Sequence, residues 1–304
     1  MDNKDKITYP ELEIHAQLFE PNTFELKILK EHENIQFCEI KTNFLSSGRQ
    51  SRVSILEYES KKQNHRVIWK RMGAGKGLTR GEAAEAKANL IPYQKSLKAH
   101  GWQLPQLYYL KEVPTGNEYQ IFSYEELVGQ GDGEKIIIDP DEPNFKKWFI
   151  VRSVAEQMAK YFTPDLQKTS IMGKELTLLP HGLDLKPANV VTTDDRGLFF
   201  VDLFGPKLLE PGGKWKFYSP KLDSLSEETL LAVCGTREGA LLRFMRLTER
   251  LWGQAGNHEK EEIRNGMMDL IKNLDLPEKE KGFICSELDN NYAWLDKVYE
   301  ETRV

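Results

Sequence analysis

Up to about residue 124 the chain is built of short alternating or β-branched runs. IQFCEIKTNFL, SRVSILEYES, HRVIWKRM and EYQIFSYEEL read as strands separated by polar turns, which predicts a small antiparallel sheet. One helical stretch interrupts them, TRGEAAEAKANL followed by IPYQKSLKAHG, with Thr79 placed to cap its start, Gly101 to end it, and Pro92 expected to kink or divide it. From about residue 144 the period lengthens to that of a helix. NFKKWFIVRSVAEQMAKYF sets Phe145, Trp148, Phe149, Val151, Val154, Ala155 and Met158 on roughly one side. SEETLLAV, ALLRFMRLTERLW, EEIRNGMMDLIKNL and NNYAWLDKVYE continue as amphipathic helices. The pattern divides the chain into a sheet-rich part, 1–124, and a mainly helical part, 125–304, an α+β organisation.

Composition narrows the classes. With 304 residues, 39% hydrophobic and 29% charged, the chain can bury a sizeable core, which excludes disordered and collagen-like proteins. A net charge of −5 with interleaved signs leaves no basic stripe, so no nucleic-acid partner is expected. Cys38, Cys234 and Cys285 form no CxxC pair and read as reduced thiols. There is no apolar run of about 18 residues, and the N-terminal MDNKDKITYPELE is charged. No membrane contact is expected, and the cytoplasm is the expected compartment.

The chemistry gathers in HGLDLKPANVV, residues 181–191. Asp184 precedes Asn189 by five residues, and Asp202 follows Asn189 by thirteen, at the end of the apolar run in GLFFVDLFGP. A hairpin joining the two segments would set Asn189 and Asp202 across from each other as two hard oxygen donors. Mg²⁺ bound to nucleotide phosphates asks for such a pair, with phosphates and waters completing its octahedron. Asp184, outside that pair, is then free to accept the proton of an attacking hydroxyl. Taken singly, Asp, Asn and Pro are ordinary turn formers; together, at two spacings and framed by apolar strands, they point to a site.

This constellation resembles the catalytic core of the protein kinase-like superfamily, which includes protein kinases and the aminoglycoside and other small-molecule phosphotransferases. The family's catalytic loop H-x-D-L-x-x-x-N and metal loop D-F-G have counterparts in His181–Asn189 and Asp202-Leu-Phe-Gly205. The resemblance implies a bilobal fold, with a small antiparallel-sheet N-lobe and a mainly helical C-lobe. It also implies Asp184 as catalytic base, Asn189 and Asp202 as Mg²⁺ ligands, and ATP as phosphoryl donor, with GTP left open. Lys186 stands where it would neutralise charge on the phosphoryl group. Two departures occur: Leu183 is an extra residue between His181 and Asp184, and Leu203 directly follows the metal-loop aspartate. His181 itself reads as a brace for the loop.

The resemblance also asks for a phosphate-binding lysine on a strand, which VIWKRM supplies in Lys70. A lysine at a strand end is, by itself, usually a surface residue. The phosphate hairpin would be LSSGRQSRVSIL, with Ser47, Gly48 and Ser51 in place of a glycine-rich motif. The lysine's carboxylate partner is expected on the following helix, at Glu82 or, by preference, Glu85. Glu125 to Leu127 are expected to offer backbone to the purine edge.

The acceptor is expected to be a hydroxyl on a small molecule, such as an aminoglycoside-like antibiotic, a sugar or an amino alcohol. FYSPK, residues 217–221, resembles the protein kinases' A-P-E motif but has Lys221 in place of the acid, which weighs against an ordinary peptide substrate. Asp139, Asp141 and Glu142 would suit a cationic acceptor, and Trp252 and Trp294 read as core more readily than as pocket lining. An atypical protein Ser/Thr kinase and a catalytically silent kinase-like scaffold are the alternatives.

Overall fold

The computed structural model describes residues 41–47, 51–60, 63–72, 77–129, 131–161, 167–193, 197–219, 225–255 and 260–300. Gly48, Cys38, residues 35–40 of the first expected strand, the charged N-terminal segment, and Pro220 and Lys221 lie outside them. The architecture is α+β with small antiparallel sheets. The chain separates into two compact units, one running to Ile91 and adding Pro105–Leu127, the other joining Pro92–Leu104 to everything from Val128 onward. The boundary expected after residue 124 therefore falls after Leu127, and the end of the first helix belongs with the second unit.

In the first unit β1 (Lys41–Ser47), β2 (Ser51–Ser60), β3 (Gln63–Met72), β4 (Leu107–Thr115) and β5 (Glu118–Glu126) form one antiparallel sheet in the order β1-β2-β3-β5-β4. The sequence pattern does not announce β4, because LYYLKEVPT lacks clean alternation and carries Pro114. It is an edge strand, where a missing N–H costs no ladder bond. Six consecutive residues of β5, Gln120–Glu125, are buried, so both faces of that strand are covered. Trp69 of β3 stacks on Phe122 of β5 at 5.8 Å.

Helix α1 (Arg80–Ala99) begins in a reciprocal capping box: Glu82 N–H donates to Thr79 Oγ1 (3.2 Å) and Thr79 N–H to Glu82 Oε2 (2.8 Å). It ends at Gly101, whose φ of +86° lets Trp102 N–H turn back to the Leu97 carbonyl at 3.0 Å. Pro92 does not divide it. The two units part at that proline.

The second unit begins with α2 (Gly133–Ile138) and α3 (Asn144–Lys160). The buried stripe of α3 is Ile150, Val151, Val154, Ala155 and Met158, together with Lys147. Phe145 and Phe149, expected on that stripe, are 69% and 47% exposed. Lys147 takes the place nearer the core because its ammonium is satisfied there. It donates to the Asp139 carbonyl at 2.7 Å and lies 5.8 Å from the Trp252 ring centre.

Two short hairpins follow, β6–β7 (Lys168–Ile171, Lys174–Thr177) and β8–β9 (Val190–Thr193, Gly197–Phe200). A single turn α4 (Glu227–Leu230) runs into a π-turn, Leu231–Gly235, and then into α5 (Arg237–Gln254), α6 (Lys260–Lys272), α7 (Glu278–Asp289) and α8 (Ala293–Glu300). Trp252 and Trp294 are core residues. Helix α7, EKEKGFICSELD, has too few apolar positions to have been expected from its pattern. Among the described residues no helix is long and apolar enough to cross a membrane.

Candidate active site

The loop sequence LDLK alternates. Leu183 and Leu185 are fully buried while Asp184 and Lys186 face the open side, where Lys186 Nζ stands 3.3 Å from Asp184 Oδ2. Pro187–Asn189 then makes one 3₁₀ turn and delivers Asn189 to the start of β8. Because Val190 pairs with Phe200, Asn189 lies beside Val201, whose N–H donates to the Asn189 carbonyl at 2.9 Å. Asp202 is the next residue. The hairpin register therefore brings together the two oxygen-bearing side chains that the spacing had paired.

Asn189 links the three. Its Nδ2 donates to the Asp184 carbonyl at 2.7 Å and to Asp202 Oδ2 at 3.2 Å, which leaves its Oδ1 as the atom with acceptor capacity in reserve. Gly205 closes the metal-loop counterpart with φ +66°, a conformation that suits glycine, and its carbonyl accepts from Lys207 Nζ at 3.3 Å. Asn189 Oδ1 and the Asp202 carboxylate are a donor set that fits a nucleotide-bound Mg²⁺, which keeps most of its sphere for phosphates and water. Among the described residues no group of three or more His, Cys, Asp or Glu side chains gathers as for a fully protein-held metal.

The rest of the second unit braces this loop. Gly182 N–H donates to the Lys207 carbonyl and Leu183 N–H to the Cys234 carbonyl, both at 2.8 Å. The buried Tyr93 and Tyr161 hydroxyls donate to the Gly182 and His181 carbonyls at 2.7 and 2.9 Å. His181 Nδ1 accepts the Leu209 N–H at 3.3 Å. Burial, and then the neighbouring His100, push its pKa down to about 4, so the ring is a neutral brace.

One residue of this neighbourhood was not foreseen. Arg243, on α5, places Nη1 2.7 Å from Asp184 Oδ1. Its signal in the sequence is a lone arginine inside the apolar run LLRFM, a position that burial would forbid to an unpaired charge. Burial alone would raise the Asp184 pKa, but Arg243, Lys186 and Lys207 outweigh it and hold the carboxyl well below the usual range. Lys186 is held above its ordinary value: Asp184 and Asp202 overcome the opposing effect of burial.

In the first unit the register explains the partner of Lys70. Lys70 pairs with Ser123 across β3 and β5, and Glu125 lies two residues further along the same face. Lys70 Nζ donates to Glu125 Oε2 at 2.6 Å, and Ser123 Oγ donates to Glu125 Oε1 at 2.8 Å. Both charges are buried. The expected helix-borne partner is thereby corrected: Glu85 is exposed, Glu82 closes the cap with Thr79, and the side chain of Glu125 supplies the carboxylate. Leu127 ends the unit half-buried, while Ser47 and Ser51 close β1 and open β2 on either side of the undescribed Gly48.

Two of the three acids of the loop, Asp139 and Glu142, have contacts within the chain. Asp139 Oδ1 accepts the Asp141 N–H at 2.9 Å, and Glu142 pairs with Lys146 at 2.9 Å. Compared with known protein families and with curated proteins, the chain matches neither a family model nor a curated sequence.

Proposed function

We propose that this chain is a phosphotransferase of bilobal protein kinase-like fold that moves the γ-phosphate of ATP to a hydroxyl of a small molecule. The observation that carries the reading is the Asn189 amide bonded at once to the Asp184 backbone and to the Asp202 carboxylate. It sets a potential proton acceptor beside a hard-oxygen pair. The buried Lys70–Glu125 pair supports it from the first unit, as the cation offered to nucleotide phosphates.

In the proposed reaction the acceptor hydroxyl oxygen forms a bond to the γ-phosphorus as the bond to the β,γ-bridging oxygen breaks and ADP leaves; the hydroxyl proton passes to an Asp184 carboxylate oxygen. Asn189 Oδ1 and Asp202 would hold Mg²⁺, which supplies charge neutralisation for the phosphates. Lys186, kept protonated beside Asp184, faces the negative charge of the transferring group. A carboxylate held as firmly ionised as Asp184 is a weak base. That suits a loose transition state, in which orienting the nucleophile matters more than early proton removal. Three cations around Asp184 favour a neutral or anionic acceptor over a polycation.

The test is transfer of labelled γ-phosphate from Mg·ATP, with GTP in parallel, against pooled sugars, nucleosides, amino alcohols and hydroxy acids, beside D184N. Label in a small molecule is expected with the wild type and at least about 100-fold less with the variant. Label on the protein itself would move the assignment to an atypical protein kinase, and failure to bind Mg·ATP would move it to a silent scaffold.

A further inference from the structure

We infer that Arg243 is a positioning residue for Asp184, holding the carboxylate in register through one guanidinium nitrogen that it shares with the Cys234 thiol. The inference rests on the phosphotransfer reading. Nη1 of Arg243 lies 2.7 Å from Asp184 Oδ1 and donates to Cys234 Sγ at 3.0 Å. Cys234 is fully buried, and its carbonyl accepts the Leu183 N–H at 2.8 Å. The residue next to Asp184 and the arginine facing Asp184 are thus anchored on the same cysteine.

That cysteine sits in the π-turn Leu231–Gly235, a local widening of the helix of a kind often found at functional sites. The following Gly235 carbonyl takes the Leu179 N–H at 2.9 Å, so the turn holds the chain on both sides of His181. Thr236 caps α5 through the Gly239 N–H at 3.2 Å and donates back to the Ala232 carbonyl at 2.6 Å. This fixes where α5 starts and hence where Arg243, two turns on, presents its guanidinium. Lys186 reaches the other oxygen of Asp184, Oδ2. The carboxylate is therefore flanked on both sides, Oδ1 by the charge of a half-buried, anchored guanidinium and Oδ2 by a more exposed lysine, which leaves Oδ2 as the oxygen better able to meet an acceptor hydroxyl.

The experiment uses R243A, R243K and D184N in the full-length chain, with water and molar glycerol as acceptors for the γ-phosphate of Mg·ATP, together with crystal structures of wild type and R243A. R243A is expected to lower kcat on the order of 100-fold, as for an ångström-scale misplacement of a reacting group, with KM for Mg·ATP little changed. R243K should recover part of the loss, and millimolar guanidinium should restore R243A but not D184N. In crystals of R243A the Asp184 carboxylate should leave its wild-type position and return to it in soaked guanidinium. A carboxylate that stays in place in R243A, or a turnover unchanged or raised, overturns the inference. So does a loss that neither lysine nor guanidinium relieves. A wild type that binds no Mg·ATP overturns the phosphotransfer reading instead, and the crystal comparison still decides whether Arg243 positions Asp184.

Discussion

A Cβ built on Gly182 would stand 2.7 Å from the Trp215 ring and 3.0 Å from the Cys234 carbonyl. The ring is buried and the carbonyl is already bonded to Leu183, so neither can give way easily. G182A is expected to cost about 1–3 kcal/mol by overpacking, read as a lower urea midpoint at unchanged slope. Phosphoryl transfer should fall further than stability does, because the displaced segment carries Asp184. At Glu125 the argument concerns charge. Removing one partner of a buried ion pair leaves the other desolvated, at about 3–5 kcal/mol. E125Q should lose stability on that scale and weaken Mg·ATP binding in calorimetry, whereas E85Q, on the exposed face of α1, should do neither.

At the scale of elements, the His181 brace between the loop and Leu209 makes a pH prediction. The imidazole titrates near 6.5 unfolded and about 4 folded, so the unfolded chain binds the proton first as pH falls. Its contribution is complete above pH 6.5, drains away down to about 4, and then levels off. Allowing for the ring's partial exposure, the loss is about 1–2 kcal/mol, and H181N, which keeps an acceptor for the Leu209 N–H, should flatten that part of the stability–pH curve. A second prediction concerns the contact of β7 with α5 and α7. Thr177 Oγ1 lies 3.1 Å from Glu238 Oε1 and 2.6 Å from Glu280 Oε1, and one hydroxyl hydrogen cannot serve both. Glu238 is held instead by the Thr177 N–H, which donates to its Oε2 at 2.9 Å, and burial raises its pKa. Glu280 meanwhile holds the buried Arg237 at 2.7 Å. E280Q should therefore cost about 3–5 kcal/mol in thermal unfolding, and E238Q less.

At the scale of the whole molecule, nucleotide binding is read as a gain in stability. Mg·ATP at about 100 times its dissociation constant should add about 2.7 kcal/mol of stability by mass action. K70M, in the first unit, and D202A, in the second, should each abolish the corresponding rise in Tm. Retention of the full rise in either variant would show that the unit concerned takes no part in holding the nucleotide.

Features set by neighbours along the chain can be read before any folding. Thr79 stands where a helix start needs a cap; Gly101 permits the left-handed turn that ends the helix; and the spacing of Asn189 and Asp202 across an apolar hairpin made their approach legible. Backbone sterics and short loops decide such things locally. The tertiary structure decided the partners of buried charge. Lys70 belongs to Glu125 because of the β3–β5 register, not to Glu85 by nearness to the next helix. Lys147 is buried where Phe145 and Phe149 are not, because a carbonyl and an indole ring happen to receive it. Arg243 reaches Asp184 from 59 positions away in the chain. A charge in an apolar run announces that a partner exists, since burying it alone is prohibitively costly. Which partner it is depends on contacts that only the packed chain brings together.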